Sequence, residues 1–297
     1  MNLKVLPAAL GLCMAALWQP VLADREINES AEVHPRGEVE VSNVAGLIEV
    51  EAWDQDRVEV TGRLGRNVEQ LEFRTQGRHT LIRVDHGSHS RNVGSSELRI
   101  RMPVESRLTA TSVSADVVVR AVRGAQRVQS VSGDIETVVF GEDVQLKTVS
   151  GDVRLEGAAA PALLTVTTVS GDVVARKVAG EIVMQTVSGD LEVDAEQMER
   201  VRIRTTNGSA ELHAGLAPGA RVEMEAVNGT LRLTIRGKPD AEFALETFNG
   251  SIDNDFGPEP VRTSRFAPGK ELRFTAGEGS ARVNMETLNG GIILRAD

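Results

Sequence analysis

From Glu38 onward the chain alternates apolar and polar residues in short runs. Val144, Leu146 and Thr148 alternate with Gln145 and Lys147, and the pattern returns at Leu164, Val166, Thr168 and at Ile182, Met184, Thr186. It continues at Val201, Ile203, Thr205, at Val222, Met224, Ala226, at Phe243, Leu245, Thr247 and at Val283, Met285, Thr287. Each run ends in a tight-turn motif. A second alternating run follows, such as Val153, Leu155 or Leu191, Val193. A period of two predicts strands with one buried face, so the unit reads strand, turn, strand, connection. The column Ile182, Met184, Val201, Ile203, Val222, Met224 is predicted to face inward.

The turn itself repeats. It is Val-Ser-Gly-Asp at 131–134, 149–152, 169–172 and 187–190, with the degenerate Val-Ser-Ala-Asp at 113–116. It then becomes Asn-Gly-Ser, Asn-Gly-Thr, Asn-Gly-Ser and Asn-Gly-Gly, beginning at Asn207, Asn228, Asn249 and Asn289. From Ala115 through Gly133, Gly151, Gly171, Gly189, Gly208, Gly229 and Gly250 to Gly290, the steps are 18, 18, 20, 18, 19, 21, 21 and 40 residues. Gly46, with Val39 and Val41 before it and Ile48 and Val50 after it, is predicted to be a turn of the same kind. A repeat near 20 residues marks a solenoid, in which neighbouring coils cover each other's apolar faces. The expectation is an all-β, right-handed β-solenoid with parallel pairing between coils, since parallel crossovers are overwhelmingly right-handed. A β-propeller is the alternative, though its alternate strands would occupy different environments.

Four segments follow. Residues 1–23 read as a secretory signal: Lys4, an apolar run from Val5 to Trp18, and Val21-Leu22-Ala23 as the cleavage site. Residues 24–37 form a polar leader. Residues 38–107 form a strand region continuous with the solenoid. Residues 108–297 form the regular array, interrupted by a Pro- and Gly-rich insertion at about 255–281. Cys13 raises a lipoprotein reading, but Leu12 before it is too large for the usual lipidation signal. Export places the protein in the periplasm or at the cell surface.

Loss of the signal leaves 32 Lys and Arg against 43 Asp and Glu. That acidity disfavours nucleic acid and anionic membrane. No cysteine then remains for a disulfide. The chain has no Tyr, and Trp53 is the one Trp outside the signal. Sugar-binding platforms usually need more exposed rings than this.

The export signal, the Gly46 unit, the Val-Ser-Gly-Asp repeats and the closing Asn-Gly-Gly-Ile unit together resemble the bacterial putative-adhesin family of β-strand-repeat proteins, a domain of unknown function. The resemblance covers residues 38–295. It implies an envelope-associated β-solenoid and brings no catalytic residues.

Candidate chemistry is sparse. Asp116, Asp134, Asp152, Asp172 and Asp190 should stack as a carboxylate column, readable as a calcium ladder or as turn residues accepting local backbone N–H groups. Asn207, Asn228 and Asn249 match the N-glycosylation pattern but also suit left-handed turn geometry. His79, His86 and His89, with Asp85, are the sole histidine cluster and read as a metal site or a solvated loop. Asp54/Asp56 and Asp253/Asp255 are carboxylate pairs of the kind glycosidases use, though both lie beside turns. There is no nucleophile elbow, no phosphate-binding loop and no cofactor motif. The expectation is a non-enzymatic envelope protein, an adhesin or scaffold whose partner is an envelope protein or polysaccharide. The alternative is a polysaccharide-binding or polysaccharide-cleaving β-helix protein.

Overall fold

The computed structural model describes residues 25–86, 94–158, 160–264 and 268–297. Residues 1–23, read above as a signal and including Cys13, and His89 lie outside them. Every regular element among the described residues is a β-strand, and no helix there is long and apolar enough to cross a membrane.

Each coil has two arms that meet at the turn. First arms stack in parallel: 107–111 pairs with 38–42, Gln126–Gln129 with 108–111, Val144–Lys147 with Gln126–Gln129, and 164–167 with Val144–Lys147. Second arms stack likewise, from 46–51 through 115–120 and Ile135–Val139 to Val153–Gly157. Farther on, three long strands each carry the second arm of one coil and the first arm of the next: Val173–Ser188, Leu191–Asn207 and Ala210–Asn228. Parallel pairing of successive coils is solenoid-like and is not the arrangement of propeller blades.

The register puts like on like: Ile182 on Val201, Val201 on Val222, Met184 on Ile203, Ile203 on Met224. All six of these side chains are at most 2% exposed. Burying a side chain of this size contributes roughly 1.5–3 kcal/mol, so the core is a set of apolar columns running along the stack.

Two regions depart from the expected plan. The polar leader carries a strand, Arg25–Glu32, antiparallel to Arg57–Leu64. It lacks apolar periodicity because it lies at the edge of the sheet and is mostly exposed; charged residues on an edge strand also discourage further pairing. The second departure is at the other end. Ala281–Asn289 lies between 221–228 and Ala241–Asn249, parallel to both. Ile292–Ala296 lies between Leu231–Ile235 and Ile252–Asn254. The last coil in sequence is therefore second to last in space, and the coil at 241–254 ends the stack. The insertion makes this exchange possible. Its strand Lys270–Ala276 runs antiparallel along Ala241–Asn249, buries Leu272 and stacks Phe274 on Phe243 with centroids 4.7 Å apart. The free edge of the end coil is thereby covered.

Candidate functional site

The turn glycines are required by close approach between coils. A Cβ on Gly133 would penetrate the carbonyl oxygen of Ala115, one on Gly151 that of Gly133, one on Gly171 that of Gly151, and one on Gly229 that of Gly208. Gly250 meets Gly290 in the same way, and Gly46 meets Ser96. Gly46, Gly189, Gly208 and Gly290 also have φ values of 113°, 154°, 140° and 154°, where a side chain is further disfavoured. Beneath the turns, the hydroxyls of Ser130, Thr148 and Thr168 accept the N–H groups of Gly133, Gly151 and Gly171 at 2.8–3.0 Å.

The five aspartates do form a column, but their hydrogen bonds are not local. The N–H of Asp134 donates to Asp116 Oδ1 at 3.0 Å. Asp152 donates in the same way to Asp134 at 2.9 Å, Asp172 to Asp152 at 3.1 Å and Asp190 to Asp172 at 2.8 Å. Ser209 completes the series by donating to Asp190 at 2.7 Å. Each carboxylate thus ties its own coil to the next. Arg154 adds ion pairs to Asp134 and Asp152 at 3.7 and 3.4 Å.

Beyond Asp190 the link changes chemistry. Asn228 Nδ2 donates to Asn207 Oδ1 at 2.9 Å, and Asn289 Nδ2 donates to Asn228 Oδ1 at 2.9 Å. Asn207, Asn228 and Asn289 are thus ladder residues, while Asn249 contributes its backbone carbonyl to Gly290 N–H at 3.1 Å.

Sequence reasoning missed the residue two positions before each glycine. Val113, Val131, Val149, Val169, Val187, Val227, Leu288 and Phe248 are each between 41% and 57% exposed. With Thr206 they form one ridge beside the turn column, in the order of the stacked coils. Parity would have revealed it. The inward positions are seven, five and three before the glycine, so the second position must face outward.

The remaining candidates are not brought together. His79 contacts Glu40 at 3.4 Å at one end of its strand, and His86 follows the other end, where burial pushes its imidazole pKa down. Among the described residues no group of three or more His, Cys, Asp or Glu is placed to hold a metal. Asp253 and Asp255 clamp Arg295, Asp255 at 3.2 Å. Hydrogen bonding from Arg295 holds the Asp253 carboxyl below the usual carboxylate range, the opposite of the raised acid that glycoside hydrolysis needs. Asp56 contributes its backbone carbonyl to Val33 N–H at 2.9 Å. Trp53 donates its indole N–H to Arg57 O at 2.9 Å and carries the guanidinium groups of Arg57 and Arg101 at 5.1 and 5.6 Å from its ring centroid.

The model of the Toastrack family, DUF4097, matches residues 37–295. The chain belongs to the Toastrack family. Solved structures similar to this Toastrack chain include one named putative lipid binding protein from Parabacteroides distasonis, at 11% identity and TM-score 0.48, covering 91% of this chain and 96% of the other. Another is named putative adhesin from the same organism, at 13% identity and TM-score 0.47, covering 91% and 97%. A third, named putative adhesin from Bacteroides fragilis, has 11% identity and TM-score 0.42, covering 91% and 97%. Among curated proteins none matches significantly.

Proposed function

We propose that this Toastrack protein is a non-enzymatic, exported component of the cell envelope, an adhesin or scaffold that engages an envelope protein or polysaccharide through its solenoid surface. The observation that carries this reading is the ridge of exposed apolar side chains from Val113 to Phe248. At about 4.8 Å per coil it extends over roughly 38 Å. A strip of exposed apolar side chains of this length, interrupted only at Thr206, marks an interaction surface on a water-exposed face. The signal-like segment 1–23 supports export, and the preference of parallel crossovers supports a right-handed wind.

The test is capture of envelope components on the purified protein and on a variant with Val131, Val149 and Val169 all replaced by Ser. The expected result is strong capture by the wild type and loss in the variant, with unchanged melting. Equal capture by both would remove the ridge as the binding surface. Cleavage of any polysaccharide in a panel would overturn the non-enzymatic reading.

A further inference from the structure

An open groove of about 790 Å³ lies on the outer face of the first arms, near the end of the stack. Its lining includes Arg200, Arg202, Arg221, Arg273 and Arg282 against Glu223 and Glu242. Five cations against two anions stand out in a chain whose net charge is −10. The register makes the concentration sharper. Arg200 faces Arg221, and Arg221 faces Arg282, on adjacent strands. Like charges directly opposite each other in a sheet are destabilising.

The outer two of this row are neutralised: Arg200 by Glu181 at 2.9 Å and Arg282 by Glu242 at 3.3 Å. Arg202 is paired with Glu223 at 2.7 Å. Arg221 in the middle, and Arg273 on the capping strand opposite Ala244, have no carboxylate at ion-pair distance among the described residues. Two guanidinium groups without a carboxylate partner therefore line one groove.

We propose that this groove binds an acidic polysaccharide with a carboxylate on its sugar units. Guanidinium groups recognise carboxylates with paired, planar hydrogen bonds. The two unpaired groups, Arg221 and Arg273, stand three strand spacings apart, about 14 Å, longer than a single small anion and suited to consecutive sugars. The groove is open, so a chain can continue past it. The site is separate from the apolar ridge, so the ridge variant retains it and the two readings fail independently.

The probe is a polygalacturonate oligosaccharide titrated into the full mature chain at low salt, with its methyl ester, inorganic phosphate, duplex DNA and phosphatidylglycerol vesicles as the other arms. The expected result is saturable binding to the free acid, weakened by salt, and about tenfold or greater loss in the Arg221→Ser/Arg273→Ser double variant. Arg127→Ser, on an exposed strand position outside the groove, should bind as the wild type does. Both variants are surface changes whose melting curves confirm folding. No binding, equal binding to the methyl ester, equal binding by the double variant, or tighter binding to phosphate, DNA or vesicles would each overturn the proposal.

Discussion

The two halves of the turn column solve one steric problem with different chemistry. In both, backbones at the corner approach too closely for any side chain on the glycine, so each coil must be held in register there. From Asp116 to Asp190 a carboxylate reaches across and accepts the next coil's N–H. From Asn207 onward a carboxamide passes the bond to the next carboxamide. The first solution places like charges about 4.8 Å apart, where repulsion is roughly 0.9 kcal/mol per pair in water. A hydrogen bond to an ionised group returns about 1.5–3 kcal/mol, so the exposed column is expected to hold without a bound cation. The second solution carries no charge and gains a neutral bond of about 1 kcal/mol. Strength of each bond is traded against repulsion, and the fold accepts either.

The largest effects should ignore this difference, because the steric demand is common. Gly151→Ala and Gly229→Ala each drive a methyl into a backbone carbonyl and should cost about 4 kcal/mol or more, read as loss of the folding transition or a steep fall in Tm. Ile203→Asp, a charge buried without a partner, belongs to the same class. Gly237→Ala is the control: its φ is 80° and a Cβ there meets nothing within 4 Å, so the cost should be only about 1 kcal/mol. A similar loss in all four would mean that the corner contacts are not specific.

Exchange of the two chemistries should give unequal results. Asn228→Asp removes the donor to Asn207 and should cost about 1–2 kcal/mol in denaturant unfolding. Asp152→Asn keeps an oxygen for the Asp172 N–H and relieves repulsion, so stability should move by no more than about 0.5 kcal/mol. Millimolar calcium should leave the melting temperature of the wild type where chelator leaves it. A rise of many degrees that Asp152→Asn abolishes would make the column a calcium ladder. Smaller still is Arg202→Gln, which loses an exposed pair with Glu223 worth about 0–1 kcal/mol.

The coil was readable from Val201, Ile203 and Thr205 because stacking forces every copy to obey the same inward parity. The Gly46 unit was readable for the same reason, and it does pair with the Ala115 turn. The order of coils was not. Ala281–Asn289 carries the same pattern as Ala241–Asn249, and nothing local says which of the two sits on 221–228. The Arg row was hidden with it, since Arg282 faces Arg221 only through that exchange. The direction of the Asp bonds was equally illegible, because a local and an inter-coil acceptor require the same residue at the same turn.

The smallest expected effect sharpens the contrast between shared and solitary carboxylates. Each column aspartate accepts one backbone N–H, whereas Asp240 Oδ1 accepts three, from Glu278 at 2.7 Å, Gly279 at 2.8 Å and Ser280 at 3.4 Å. The Asp240 carbonyl also receives the N–H of Ala281 at 3.1 Å, so this residue anchors the chain as it returns from the insertion into the exchanged coil. Hydrogen bonding from Ser280, then from the N–H groups of Glu278 and Gly279, holds the Asp240 carboxyl below the usual aspartate value of 3.8. A carboxyl that is more acidic in the folded state contributes stability above its unfolded pKa and loses it as pH falls through the folded value. Protection of the Gly279 and Ser280 amides, relative to the intrinsic exchange rate at each pH, should therefore be high above pH 3.8 and fall progressively below it, while the Val201–Thr205 core amides remain protected. Asp240→Asn keeps an acceptor but cannot titrate, so its exchange at these amides should lack the acid-dependent step. An identical acid response in wild type and variant would show that some other group governs the anchor.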